Sequence, residues 1–229
     1  MSVGQIQNVM IADDQPDSRQ MIKEHVEDAN YKAVVQDEKI GNLDNFIEII
    51  KKKKPDALII DNHLNQKNYA TFTGIHAIIK VRKIFLMLPI LLASNYINDD
   101  ILDIRPYRQY VPVIISSDMN PDIITQGFKL SQNELNGIYI PERRPWRSLI
   151  RVEEMSEDNS YAYIIIPSWS TRERIKLPTF LFPYQDEKLL GMRFFADVNI
   201  GAEKYSDIYC HAIEIAKRPE GKYAKFLHS

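Results

Sequence analysis

Three aspartates stand where short apolar runs end. Residues 9–12 (VMIA) run into Asp13 and Asp14, and residues 57–60 (ALII) run into Asp61. A third run, 88–94 (LPILLAS), ends in a hydroxyl, Ser94. Carboxylates brought together with no Lys or Arg beside them repel, and a hard divalent cation relieves that repulsion. Mg²⁺ takes oxygen ligands and keeps some waters, so two carboxylates and a backbone carbonyl make a sufficient set. A carboxylate that touches such an ion and faces solvent is a nucleophile for a phosphoryl group. The plain alternative is that these acids only cap the starts of helices.

Other chemistries lack their residues. No D-x-D, G-x-x-x-x-G-K-[ST] or G-x-G-x-x-G occurs in the chain. The five histidines are scattered without metal-ligand spacing. His25 falls on an apolar helix face and reads as a core or boundary residue. Cys210, the one cysteine, permits neither an internal disulfide nor a CxxC zinc site. Cys210 and His211 are neighbours on an expected strand and point to opposite faces, which argues against a dyad.

The elements that must position the aspartates alternate between strand and helix. After the first run, Pro16 and Asp17 open a helix with Met21, Ile22, His25, Val26 and Ala29 on one face. Residues 31–35 read as a second strand. Leu43, Phe46, Ile47 and Ile50 are spaced for an amphipathic helix that ends in four lysines and Pro55. Cations suit the negative end of a helix, so the lysine run reads as a solvated helix end before a nucleic-acid patch. The run 57–60 is continuously apolar, as in a strand buried on both faces. Residues 71–74 introduce a third helix with Ile75, Ile78, Ile79 and Phe85 inward. Residues 88–94 give a fourth strand, 99–110 a helix, 111–117 (VPVIISS) a fifth strand, 121–132 a helix, and 137–141 (GIYIP) a sixth strand. Such βα alternation predicts a doubly wound parallel sheet, with its chemistry at the carboxyl ends of the strands.

Here the sequence resembles the receiver domain of two-component response regulators. The matching pieces are VMIADDQPDSRQMI, PDALIIDNHL, TGIHAII and LPILLAS, within about residues 7–117 and extending to about 150. The resemblance implies a flavodoxin-like fold, Asp61 as phosphoacceptor, and Mg²⁺ at Asp13, Asp14, Asp61 and the main-chain carbonyl of His63. It implies Ser94 as the switch hydroxyl, a histidine kinase or phosphotransfer protein as donor, and a possible homodimer. The chain departs from the family in the long segment 62–73 (NHLNQKNYATFT), which lacks the common proline. It departs again after strand five, where the family has a Lys. If 111–117 is that strand, Ser116 stands there. If 137–141 is that strand, Glu142 stands there with Arg143 beside it, and Ser116 or Ser117 becomes the switch. The spacing from Pro89 favours Ser94. A receiver fold that binds no metal is the remaining alternative.

The second half changes character. Residues 142–151 (ERRPWRSLIR) hold Arg143, Arg144, Arg147 and Arg151 with Trp146. These residue types suit a phosphate backbone and a stacked base. They suit equally a hinge helix paired with acids of the receiver, which is the reading preferred. Beyond residues 155–160, the segments 161–167, 173–178, 189–201 and 207–216 read as strands of a small antiparallel barrel or sandwich. The expected division is 1–150, a receiver-like α/β domain, and 151–229, a β domain. Trp169, Tyr184, Arg172 and Arg174 are candidates for a binding face, with core packing the commoner fate of such aromatics.

Composition fits this reading. The 229 residues carry 29 Lys and Arg against 31 Asp and Glu, a net charge of −2, with 45% apolar residues. That balance makes nucleic acid an unlikely partner and excludes disorder for most of the chain. No apolar run reaches the ~18 residues of a membrane span, and the N-terminal residues do not read as a signal peptide, so a cytoplasmic location is expected. The expected role is signalling and not enzymatic. Phosphorylation of Asp61 would control a protein interaction of the β domain. The alternative is a nucleic-acid-binding adaptor on a non-phosphorylated receiver scaffold.

Overall fold

The computed structural model describes residues 4–95, 102–116, 119–183 and 189–216. They divide into two units, residues 1–140 and 141–229.

The first unit is a five-stranded parallel sheet: β1 (Asn8–Ala12), β2 (Lys32–Val35), β3 (Ala57–Asp61), β4 (Ile90–Ala93) and β5 (Ile114–Ile115), in the order β2-β1-β3-β4-β5. Alternate strand residues point to opposite faces, so a strand covered on both sides is apolar throughout. Val9, Ile11, Ile59 and Leu91 meet Ile22 and Val26 of α1 (Pro16–Asp28) and Ile124 and Phe128 of α4 (Pro121–Leu135). Met10, Leu58, Ile60 and Leu92 meet Phe46, Ile47 and Ile50 of α2 (Leu43–Lys53) and Ile75, Ile78 and Val81 of α3 (Gly74–Ile84).

The helix ends follow local chemistry. The Asn42 side chain accepts the Asn45 N–H at 2.9 Å, and Asn120 accepts that of Ile123 at 3.0 Å. Helix α2 ends at Lys54 in the left-handed region, φ 49°, just before Pro55. The lysine run is a helix end, as expected, and Lys53 donates to the Val35 carbonyl at 2.9 Å.

Two expected elements change. Residues 137–141 form no strand; Ile138 and Ile140 are exposed, and β5 is the edge of the sheet. Among the described residues the strand expected over 111–117 is Ile114–Ile115, and Pro112 before it has no N–H to give a ladder. Residues 102–104 are helical and lead into a 3-10 stretch, Arg105–Tyr110; the rest of the helix expected over 99–110 lies outside the described residues.

The second unit is a five-stranded antiparallel sheet: β6 (Trp146–Met155), β7 (Tyr161–Ile166), β8 (Ser170–Pro178), β9 (Arg193–Val198) and β10 (Cys210–Ile215), in the order β10-β9-β6-β7-β8. Its core holds Ile150, Val152, Ile164, Leu177, Phe194, Val198 and Cys210. The hinge helix expected over 142–151 is instead the loop into β6 and its first six residues. The boundary therefore moves from 150/151 to 140/141. Local bonds fix that loop within the second unit. Asn199 donates to the Glu142 carbonyl at 3.0 Å, and the Tyr209 hydroxyl donates to the Arg143 carbonyl at 2.6 Å. A Cβ on Gly201 would lie 2.3 Å from the Pro141 carbonyl oxygen, so only glycine permits this approach.

Candidate functional site

Parallel registry brings the aspartates together. Ala12 pairs with Ile60, and Asp61 with Ala93, so the ends of β1, β3 and β4 are level. Asp13, Asp14 and Asp61 each bring a carboxylate oxygen within 4.8 Å of the others.

Their surroundings differ. Asp13 accepts the Gln15 N–H at 2.7 Å and the Ser18 hydroxyl at 2.5 Å, so it also braces the first turn of α1. That bracing is not the helix cap considered as the plain alternative, because the N-cap of α1 is Gln15, without a side-chain cap hydrogen bond. Asp61 accepts the His63 N–H at 2.8 Å. Asp14 is 5% exposed, and neither of its carboxylate oxygens has a hydrogen-bond partner. A buried carboxylate in that state is costly unless a cation completes it. Burial, then the charge of Asp13, pushes the Asp61 carboxyl up to about 7. Burial and Asp13 also raise that of Asp14. The donor set is all oxygen and trebly acidic, which fits a hard divalent ion such as Mg²⁺.

Helix α3 holds Asp61 from behind. The Asn62 carbonyl accepts the Gly74 N–H at 2.9 Å, and the Asn62 side chain accepts the Ile75 N–H at 3.3 Å. A Cβ on Gly74 would sit 2.3 Å from the Asp61 carbonyl oxygen. Between them the segment 62–73 folds back on itself. The carbonyl of His63 accepts the Gln66 N–H at 3.1 Å, and Lys67 and Asn68 take positive φ of 51° and 56°.

Ser94 ends β4, is 2% exposed, and donates its N–H to the Ile115 carbonyl at 2.9 Å. Ser116 follows β5. Because β5 is drawn from 111–117, the sheet places Ser94 after strand four and Ser116 after strand five. Arg143 belongs to the second unit, buried over the Tyr209 ring at 5.2 Å, and residues 137–141, the expected strand on which its candidacy rested, form no strand. Ser117 and Tyr184 lie outside the described residues.

The absence of a neighbouring cation was a feature of the sequence only. The charges of Lys67 and Arg19 both act on Asp14. Arg19 also donates to the Asp13 carbonyl at 2.6 Å. Nothing in the spacing singled out Lys67, which lies with Asn68 in the left-handed region of the segment after β3. Arg19 had a signal: it stands one helical turn past Pro16, on the side that α1 buries.

No family model matches the chain, and no curated protein matches it. Solved structures do. Its structural neighbours include response regulator and signal receiver domains. One is NtrX from Brucella abortus, 15% identical with a TM-score of 0.47, over 58% of this chain and 29% of that one. A response regulator receiver domain protein from Clostridium thermocellum is 11% identical with a TM-score of 0.45, over 57% and 98%. The signal receiver domain of an HD domain-containing protein from Pseudomonas fluorescens is 9% identical with a TM-score of 0.46, over 60% and 94%. The match spans less than a third of the NtrX chain.

Among the described residues of the second unit, several arginines are engaged locally. Arg147 pairs with Asp197 at 3.4 Å and with Glu214, Arg151 with Glu153, and Arg174 with Glu154. Arg144 lies 4.6 Å over the Trp146 ring. Trp169 is half-buried, packs against the core and donates to the Ala202 carbonyl at 2.8 Å. Cys210 faces the core, where burial pushes its thiol up to about 12, while His211 stacks with Tyr209. Among the described residues no helix is long and apolar enough to cross a membrane.

Proposed function

We propose that the first unit is a phosphoryl-accepting signalling module whose acceptor is Asp61. The observation that carries this reading is the Asp14 carboxylate, buried without a partner and facing two further aspartates. Asp13, Asp14, Asp61 and the main-chain carbonyl of His63 would hold Mg²⁺. When bound, that ion would offset carboxylate repulsion and the charge of an incoming phosphoryl group.

Asp61 is only partly buried, which leaves it open to a donor. An Asp61 carboxylate oxygen attacks phosphorus as the bond to the donor breaks, and that electron pair leaves with the donor. The product is an acyl phosphate on Asp61. The donor class is the phosphohistidine of a kinase or phosphotransfer protein, for which acetyl phosphate is a simple substitute. Ser94, buried just after β4, would be the hydroxyl that turns towards the new phosphoryl group. The acceptor role is signalling and involves no substrate turnover. The second unit is the output and binds a protein; pairing of Arg147, Arg151 and Arg174 with acids of their own sheet supports that over nucleic acid. A phosphorylation-dependent homodimer and a cytoplasmic location belong to the same reading.

Incubation of the full chain with acetyl phosphate and Mg²⁺ tests it. One phosphoryl mass should be added, and Asp61→Asn should abolish the addition. Labelling that persists in Asp61→Asn would refute the assignment.

A further inference from the structure

Arg19 is a long cationic side chain that is only 8% exposed, a state that calls for defined partners. Its contacts tie one residue of the acidic site, Asp13, to two groups outside it, Tyr69 and Asp37. One guanidinium nitrogen donates to the Asp13 carbonyl at 2.6 Å. The guanidinium carbon lies 5.4 Å from the centre of the Tyr69 ring. Its Nε stands 3.4 Å from a carboxylate oxygen of Asp37, beyond the end of β2.

Tyr69 belongs to the segment after Asp61 and is itself fixed. Its hydroxyl donates to the Gln36 carbonyl at 2.5 Å, and its own carbonyl accepts the N–H groups of Ile40 and Gly41. Ala70 and Gly41 form a parallel bridge, and Thr71 donates to the Gly41 carbonyl at 2.7 Å. The segment after β3 is thereby latched to the segment after β2, and Arg19 lies between that latch and Asp13.

We propose that Arg19 is a positioning residue of the acidic site: it fixes the Asp13 peptide against the latched segment, so that the three carboxylates stay converged on one cation. This rests on the phosphoryl-acceptor reading above. Charge and position make opposite demands, which separates them. As a charge, a guanidinium beside the site repels a divalent cation, so its removal would tighten Mg²⁺ binding. As a positioning group, its removal loosens the binding. Lysine keeps the charge but lacks the planar fork that meets a carbonyl, a carboxylate and an aromatic face together.

The test is a titration of the full chain with Mg²⁺, beside acetyl phosphate labelling, for wild type, Arg19→Gln and Arg19→Lys. Both variants should bind Mg²⁺ about tenfold more weakly and label more slowly, the usual scale for losing an outer-shell partner. Lysine should not rescue. Tyr69→Leu leaves Arg19 and all three acids in place and should weaken Mg²⁺ in the same direction, which covers the case of Arg19 variants that do not fold. Metal-free melting curves identify the folded variants. Tighter binding in Arg19→Gln, full rescue by lysine, or an unchanged Tyr69→Leu would overturn the assignment while leaving the acceptor reading intact. A wild-type chain that binds no Mg²⁺ would overturn both.

Discussion

At the scale of single residues, the acidic site couples stability to protons. Asp61 titrates near 7 in the folded chain against an ordinary value of 3.8. Between those values the folded chain holds a proton that the unfolded chain has released. Stability of the metal-free protein therefore falls as pH rises through that window and is greatest below it. The raised carboxyl of Asp14 acts in the same direction. Each tenfold gain in proton affinity on folding is worth ~1.4 kcal/mol, so a rise of about three such steps makes Asp61 alone worth on the order of 4 kcal/mol. Melting curves should move upward on acidification from about pH 8 to about pH 5 without metal, and saturating Mg²⁺ should flatten that trend by mass action. Asp14→Asn makes a paired prediction. It removes a partnerless buried charge, so the metal-free melting temperature should rise, while the Mg²⁺-induced increment should vanish. A metal-free Asp14→Asn that melts below the wild type would contradict this account.

At the scale of elements, Gly74 joins α3 to the acceptor strand. A methyl group there collides with the Asp61 carbonyl, and neither backbone has room to give. Gly74→Ala should cost ~2–4 kcal/mol and displace Asp61, so urea midpoints and acetyl phosphate labelling should both fall. Lys54→Gly should do the reverse on a small scale. A left-handed position taken by lysine is relieved by glycine, worth up to ~1 kcal/mol at the end of α2. The strands and helices around these positions were legible because continuous apolar runs alternated with 3.6-residue patterns. Residues 137–141 misled because a short apolar run after glycine looks like a strand, though it has no ladder partner. Strand β6 was hidden for a different reason. Its inward set begins with Ser148, and its outward set includes Leu149 among arginines, so the polar and apolar alternation is blurred. The three aspartates were legible because strand ends are where parallel sheets place chemistry. Arg19 was legible only as a residue on the buried side of α1, and Lys67 not at all, since its bearing on Asp14 exists only once the segment after β3 has folded.

At the scale of the whole molecule, each unit has its own core, and the position of the boundary is testable. A cut at 140/141 leaves both sheets whole. A cut at 150/151 divides β6, the central strand of the second sheet, and removes its pairing from Trp146 to Ile150 with β9. Fragments 1–140 and 141–229 should each melt cooperatively, whereas fragment 151–229 should not fold. Equal cooperativity of 151–229 and 141–229 would argue against β6 as the central strand.

Asp13 has one more consequence. Its two oxygens grip the Gln15 amide and the Ser18 hydroxyl, so electron density drawn towards a ligand is drawn away from those protons. The Gln15 amide is thus a built-in spectroscopic reporter. Its proton resonance should move upfield, and its solvent exchange should quicken, as the site fills. Occupancy becomes readable from one backbone signal in the intact chain, with no label attached.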